Sequence, residues 1–217
     1  MKRKLILFDW GNIVESHSVG YTNIDAWNDL FRRCGYKGDF NVFKLLGKYD
    51  LCSPASKEEF EEVFNELHKD FDFNVTYDEF LKIYDEIFDN VGYFKEVALY
   101  EKSLKDKAFI GIFSDLTYLD IKRLDRQVGL QNYDYVLLST DIKLRKNDIK
   151  AFEKASVSLP FDKKDILFID DREENINNAH EFGWNTLKAT GLELDKIKKV
   201  VDLFLNNDYE HMDFTNI

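Results

Sequence analysis

A chain of 217 residues suits one α/β domain with a modest insertion: it is long enough to bury a core of its own, and no second full-size domain is needed. Its 30 Lys and Arg stand against 41 Asp and Glu. The formal charge of −11 argues against a surface that coats nucleic acid or binds an anionic membrane, whereas small phosphorylated metabolites, which need only a locally positive site, are not excluded. The start, MKRKLILFDW, has too few apolar residues before Asp9 for a signal-peptide core, and no stretch reaches the length of a membrane span. Cys34 and Cys52 therefore read as reduced thiols of a cytoplasmic protein.

In chain order, Lys4-Leu-Ile-Leu-Phe8 is a short apolar run that stops at Asp9, Gly11 and Asn12. This is the pattern of a buried parallel strand opening into a turn at its C-terminal end, where chemistry collects in open α/β sheets. From about residue 22 to 93 the period becomes helical. Ile24, Trp27, Leu30, Phe31 and Cys34 share one face, Phe60, Val63, Phe64, Leu67 and Phe71 a second, and Phe80, Leu81, Tyr84, Ile87 and Phe88 a third. The capping boxes Ser56 with Glu59 and Thr76 with Glu79 mark helix starts. With no strand interrupting it, this block predicts a small all-helical cap, residues 17–93, inserted after the first strand of a core formed by 1–16 and 94–217. Strand and helix signals then alternate: helix near 95–104, strand 108–113, helix 117–128, strand 135–138, helix 147–157, strand 166–169, helix near 173–182 closed by Gly183, strand 185–188, and a last helix around 193–205. Such alternation predicts a Rossmann-like parallel sheet wound with helices. The polar residues from about Asn206 are expected to be loosely held.

Three predicted strand ends deliver polar groups: Asp9, then Ser114 with Asp115, then Asp170 with Asp171. Taken singly, each is more commonly an N-cap or turn former than a catalytic group. The adjacent pair Asp170-Asp171 shifts the balance, because neighbouring carboxylates repel unless solvent, a proton or a cation relieves them. Magnesium suits a few carboxylates together with waters and phosphate oxygens, and Asp9 and Asp171 could supply them across neighbouring strand ends. Lys146, just ahead of the helix that begins near 147, lies where a helix dipole does not favour a cation, which suggests an anionic partner elsewhere; the simpler reading is a solvated lysine.

Together these segments resemble the haloacid dehalogenase-like (HAD) hydrolase superfamily, in order along the whole chain. Phe8-Asp9-Trp10-Gly11-Asn12-Ile13 is similar to its first motif, whose leading Asp is the nucleophile, and Phe113-Ser114-Asp115 to the second, whose hydroxyl binds the phosphoryl group. Lys146 matches the lysine of the third motif, although Asn147 stands where Pro is usual, and Phe168-Ile-Asp170-Asp171 through Asn175-Ile176 resembles the fourth, magnesium-binding motif. The resemblance implies a Mg2+-dependent phosphatase with Asp9, Ser114 and Lys146 in catalysis. Asn12, Ser114, Asp115 and Lys146 would lie on the substrate, and Asp9, the Gly11 carbonyl, Asp170 and Asp171 about the metal. Within the superfamily, the spacing Ser139-x-Asp-x-x-x-Arg145-Lys146 and the first and fourth motifs are most similar to the sugar-1-phosphate phosphatase branch.

One departure matters. Where most phosphatases of the superfamily carry a second Asp as general acid and base, this chain has Gly11. Glu15 or His17 could stand in, against the plainer reading of both as solvated linker residues. The same departure supports two rival expectations, a weakly active or inactive relative that binds a phosphometabolite or a protein partner, and a carbon–halogen hydrolase, for which Asp170-Asp171 would be unexplained.

Overall fold

The computed structural model describes residues 4–17, 19–38, 48–207, 209 and 211–216. Leu5–Phe8 (β1), Phe109–Ser114 (β2), Tyr135–Leu138 (β3), Ile166–Asp170 (β4) and Asn185–Lys188 (β5) pair in parallel, in the order β3-β2-β1-β4-β5. β1 is the central strand, which explains its run of wholly buried residues: both faces and both edges are covered. The chain goes from β1 to β2 and β3 on one side and then crosses to β4 on the other. A crevice at the C-terminal ends of β1 and β4 therefore lies at the point where the winding reverses.

Between β1 and the rest of the sheet come Asn23–Arg33 (α1), Lys57–Phe71 (α2) and Tyr77–Phe88 (α3), the helical cap. Residues 39–47 of the insert lie outside the described residues. The three faces read from the sequence close on one another: Trp27, Leu30, Phe31, Phe60, Phe64, Leu67, Phe80 and Phe88 share one apolar cluster, with Trp27 edge-on to Phe88 at 5.3 Å and Tyr84 stacked on it at 4.0 Å. Each such ring contributes roughly 1.5–3 kcal/mol by leaving water, so the insert has a core separate from the sheet's. Thr76 and Glu79 form the expected reciprocal box, but the Ser56 box is half made. Ser56 caps the Glu59 amide, while the Glu59 carboxylate turns to the Ala55 amide (2.8 Å) and to Lys143 Nζ (3.1 Å), a core residue.

The remaining elements are Lys95–Ser103 (α4), Tyr118–Val128 (α5), the short Ser139–Ile142 (α6), Ile149–Ser156 (α7), Glu173–Phe182 (α8) and Leu194–Asn206 (α9). α4, α5 and α9 cover the sheet face that carries Ile6 and Phe8, and α7 and α8 the face that carries Leu5 and Leu7, as the two-residue period of a strand requires. α7 starts at Ile149 rather than near 147 because Asp148 is its cap, accepting from the Lys150 amide. No described helix is long and apolar enough to cross a membrane, and both cysteines are buried free thiols.

The expectation of a loose C-terminus is corrected. β5 is an edge strand with unpaired backbone groups, and the tail covers it. The Thr186 amide donates to the Met212 carbonyl and the Phe214 amide to the Thr186 carbonyl, each at 2.8 Å, and Phe214 is fully buried with Tyr209 edge-on to it. Two aromatics within a polar stretch were enough to anchor it.

One core residue carries a testable pH dependence. Glu101 on α4 is buried and takes a hydrogen bond from Tyr133 Oη (2.8 Å); burial pushes its carboxyl up to about 8 from an ordinary 4.5. The folded state thus binds a proton that the unfolded chain releases between those two values, and the stability this group gives at low pH is lost as pH rises through that window. Glu101→Gln, already neutral, is expected to abolish this part of the slope, so that urea midpoints of wild type and variant diverge in the variant's favour as pH rises from 4.5 to about 8.

Candidate active site

Strand register brings the three polar strand ends together. Phe8 pairs with Ile112 of β2 and Ile169 of β4, so Asp9, Ser114 and Asp170, one or two residues further on, stand side by side; the Asp9 amide donates to the Ile169 carbonyl (2.9 Å). Ser114 Oγ donates to Asp9 Oδ1 at 2.6 Å. Lys146 Nζ lies 2.6 Å from the same oxygen and 2.6 Å from Asp170 Oδ2. At 1 % exposure, with Phe113 and Phe168 beside its ammonium, Lys146 is no solvated lysine.

Two further contacts hold the acidic pair. Asp170, fully buried, accepts the Arg172 amide (2.8 Å) and Asn175 Nδ2 (3.0 Å) as well as Lys146. Asn12 adopts a left-handed backbone (φ 58°), a conformation asparagine tolerates better than most residues, and from that turn its Nδ2 donates to Asp171 Oδ2 at 2.9 Å. Asp115 does not face Asp9. Both of its oxygens take the Lys146 backbone amide at 3.2 Å, fastening the Lys146 loop to the end of β2.

The electrostatics call for a cation. Asp9, Asp170 and Asp171 each offer an oxygen, and these lie within 4.8 Å of one another. Burial raises all three carboxyls above their ordinary range, with Lys146 opposing the rise most for Asp9 and Asp170, and Asn12 for Asp171. Burial alone would lower the lysine, but Asp170 and Asp9 hold its ammonium above the usual lysine range. Three carboxyls share one ammonium in a largely desolvated place, so their charged forms are under-compensated and a cation would favour them. An all-oxygen donor set of this kind fits a hard divalent ion such as magnesium.

Of the two linker residues read as solvated, His17 is exposed as expected, whereas Glu15 departs from that reading. Glu15 is 2 % exposed and fully engaged: Arg123 Nη1 and Trp10 Nε1 meet Oε2, while Asn23 Nδ2 (3.0 Å) and His17 Nε2 (2.9 Å) meet Oε1. Burial would raise its carboxyl, yet Arg123 and His17 hold it well below the usual range. Arg123, itself buried on α5, also binds Asp120 Oδ1 (2.8 Å), which accepts Tyr84 Oη of the cap at 2.6 Å. Arg123 reads in sequence as the polar side of an amphipathic helix; only the fold shows it as the counter-ion of the cap junction. A second tie runs from α6, where Ser139 Oγ donates to the Cys52 carbonyl and Lys143 Nζ to the Ser53 carbonyl, both at 2.8 Å, fixing a cap loop beside the Lys146 segment.

A family profile described as haloacid dehalogenase-like hydrolase matches residues 22–189. The chain belongs to that family. The match begins beyond Asp9, so the place of Asp9 in the site rests on strand register. No curated protein matches the sequence. Among solved structures, a HAD family enzyme from Bacteroides thetaiotaomicron superposes with TM-score 0.71 at 17% identity, over 88% of this chain and 95% of that one. The same enzyme in complex with magnesium and inorganic phosphate gives 0.67 at 17%, over 87% and 95%. A predicted HAD-like family hydrolase from Porphyromonas gingivalis gives 0.69 at 19%, over 94% and 98%. At such identities the likeness to these HAD proteins is one of fold.

Proposed function

We propose that the protein is a magnesium-dependent phosphatase that hydrolyses a small phosphorylated metabolite, such as a sugar phosphate, through an aspartyl-phosphate on Asp9. The observation that carries this reading is the Asp9 carboxylate at the end of the central strand, with one oxygen held by Ser114 and Lys146 and the acidic pair Asp170-Asp171 alongside. The magnesium and phosphate bound by the Bacteroides enzyme of the same fold support it.

Asp9 attacks phosphorus in line, and covalent transfer divides the hydrolysis into two easier steps. Ser114 and Lys146, already at the Asp9 oxygen, are placed to hold the phosphoryl oxygens as charge develops, without any need to reorganise. Asp9, the Gly11 carbonyl and Asp171 would hold magnesium, which supplies charge neutralisation at the phosphoryl group. Asp170, which accepts from Lys146, Arg172 and Asn175, fixes the lysine and would be an additional carboxylate beside that set. Asn12 orients Asp171, and Asp115 secures the Lys146 loop on which substrate rests.

Phosphate release by the purified protein, with and without magnesium, across sugar phosphates, acyl phosphates, nucleotides and an aryl phosphate tests this reading. Turnover that requires the ion is expected; none on any substrate contradicts it. Gly11 favours one rival, a binding protein without turnover, for which magnesium-dependent phosphate binding would persist while hydrolysis was absent.

Magnesium is also expected to raise the melting temperature. At a hundredfold excess over its Kd it contributes about 2.7 kcal/mol, roughly 5–10 °C for a domain of this size. Asp171→Asn is expected to remove most of that shift while leaving the metal-free melting temperature no lower, because it removes one of the under-compensated carboxyls. An unchanged magnesium shift would take Asp171 out of the metal site.

A further inference from the structure

Hydrolysis of an alkyl phosphate needs a group that gives a proton to the departing oxygen and takes one from water. The described side chains that meet Asp9 do not supply it. Ser114 and Lys146 direct their protons at Asp9 itself, and the lysine is clamped between two carboxylates. Asp170 is saturated by its donors, and Asp115 is turned to a backbone amide.

Gly11 points to another group. A Cβ built at this residue would lie 3.7 Å from Asp9 Oδ2, and 3.2 Å from Cε1 and 3.6 Å from Nε2 of His17. The imidazole thus takes up the space that a side chain at residue 11 would fill, beside the Asp9 carboxylate. The ring is held there: Nε2 is 2.9 Å from Glu15 Oε1, and Glu15 is itself clamped by Arg123, Asn23 and Trp10. Nε2, the nitrogen nearer to Gly11, is committed to Glu15, which leaves Nδ1 to exchange a proton. At 38 % side-chain exposure the ring also reaches solvent, the source of the second reactant.

We propose that His17, oriented by Glu15, is the general acid and base of the reaction; the proposal rests on the phosphatase reading above. In the first transfer an Asp9 oxygen forms the bond to phosphorus, the ester P–O bond breaks, and the departing oxygen keeps the electron pair and takes the proton from His17 Nδ1. In the second, water attacks phosphorus and gives its proton to Nδ1, the P–O bond to Asp9 breaks, and the electron pair returns to the carboxylate as inorganic phosphate leaves. Glu15 is a positioning residue: it never meets the substrate, but fixes the ring and balances its charge.

The test uses the whole magnesium-loaded protein with p-nitrophenyl phosphate, whose leaving group needs little protonation, and glycerol 3-phosphate, whose leaving group needs it fully. His17→Gln is expected to lose about 10²–10⁴-fold in steady-state turnover on both, the usual worth of a positioned acid–base group. The two substrates then part in the first turnover. With the aryl ester the variant is expected to release nitrophenol in a burst of about one equivalent and stall as phosphoryl-enzyme; with glycerol 3-phosphate no burst appears. Imidazole in the buffer restores turnover to His17→Ala, whose side chain opens to solvent. Unchanged turnover, or an equal loss on both substrates with no burst and no rescue, overturns the proposal and leaves the phosphatase reading standing. Failure of wild type to exceed Asp9→Asn on either substrate removes both.

Discussion

If Asp9 is the nucleophile proposed above, Asp9→Asn is expected to lower turnover by about 10⁴- to 10⁶-fold on every substrate the wild type accepts, the range for removal of a covalent nucleophile. In free-energy terms this is about 5–8 kcal/mol of transition-state stabilisation. The amide keeps the shape of the carboxylate, and Lys146 keeps its partner Asp170. The fold is therefore not at risk. Burial raises the Asp9 carboxyl by penalising its charged form, and the magnesium-free variant is expected to melt no lower than wild type. Loss of activity without loss of stability, read from kinetics and a thermal melt on one preparation, separates a chemical role for Asp9 from a structural one. A variant retaining more than about a tenth of wild-type turnover would mean that the reaction does not pass through Asp9.

Lys146→Met carries the second large effect, and here stability falls together with activity. The ammonium is the shared counter-ion of Asp9 and Asp170, both deeply buried, and removing one partner of a buried ion pair costs about 3–5 kcal/mol because the other charge stays behind. In a chain of this length that lowers the melting temperature by roughly 6–20 °C. The methionine fits between the Phe113 and Phe168 rings, so lost packing is a small part of the change. On the proposed reading magnesium would relieve the same carboxylates, and it is expected to restore part of the lost stability and little of the turnover, since the phosphoryl oxygens would still lack the lysine. A metal-free melting temperature within about 2 °C of wild type would show that Lys146 does not compensate the cluster.

The core was legible because physics leaves a parallel sheet few ways to be written. Strands covered on both faces must be apolar throughout, and each stops at a polar residue where its backbone leaves the sheet; Leu5–Phe8 before Asp9 and Ile166–Asp170 before Asp171 are the clearest cases. The cap was legible from its 3.6-residue period and from the Thr76 box. What the sequence concealed is held by single long-range contacts. Nothing near Arg123 announces that it is the buried partner of Glu15, because the two lie on opposite sides of the helical insert. Ser139–Ile142, a four-residue helix without a side-chain cap, has no periodicity to read, yet its serine ties the core to the cap. The tail around Phe214 reads as polar by composition, and one ring buried beside an edge strand decides its place.

The same difference applies within the site. Asp9, Ser114, Asp170 and Asp171 were visible as residue types at strand ends, which strand register brings together, and Lys146 as a lysine ahead of a helix, whose ammonium reaches Asp9 and Asp170. Asn12 and Asp115 were visible too, and their hydrogen bonds run to Asp171 and to the Lys146 backbone. His17 was visible as one of two candidates to stand in at Gly11, and its ring lies against the space above that glycine, whereas Glu15 turns to Arg123.

The most direct measurement is a search for the covalent intermediate. The protein with magnesium is mixed briefly with p-nitrophenyl phosphate, quenched in acid and mapped by peptide mass. A phosphoryl group on the peptide containing Asp9, lost on treatment with hydroxylamine as an acyl phosphate must be, and absent when magnesium is withheld or Asp9 is replaced by Asn, is the predicted result. Nitrophenol release that continues with no phosphoryl group ever found on Asp9, in wild type or in the stalled His17→Gln variant, would contradict the account.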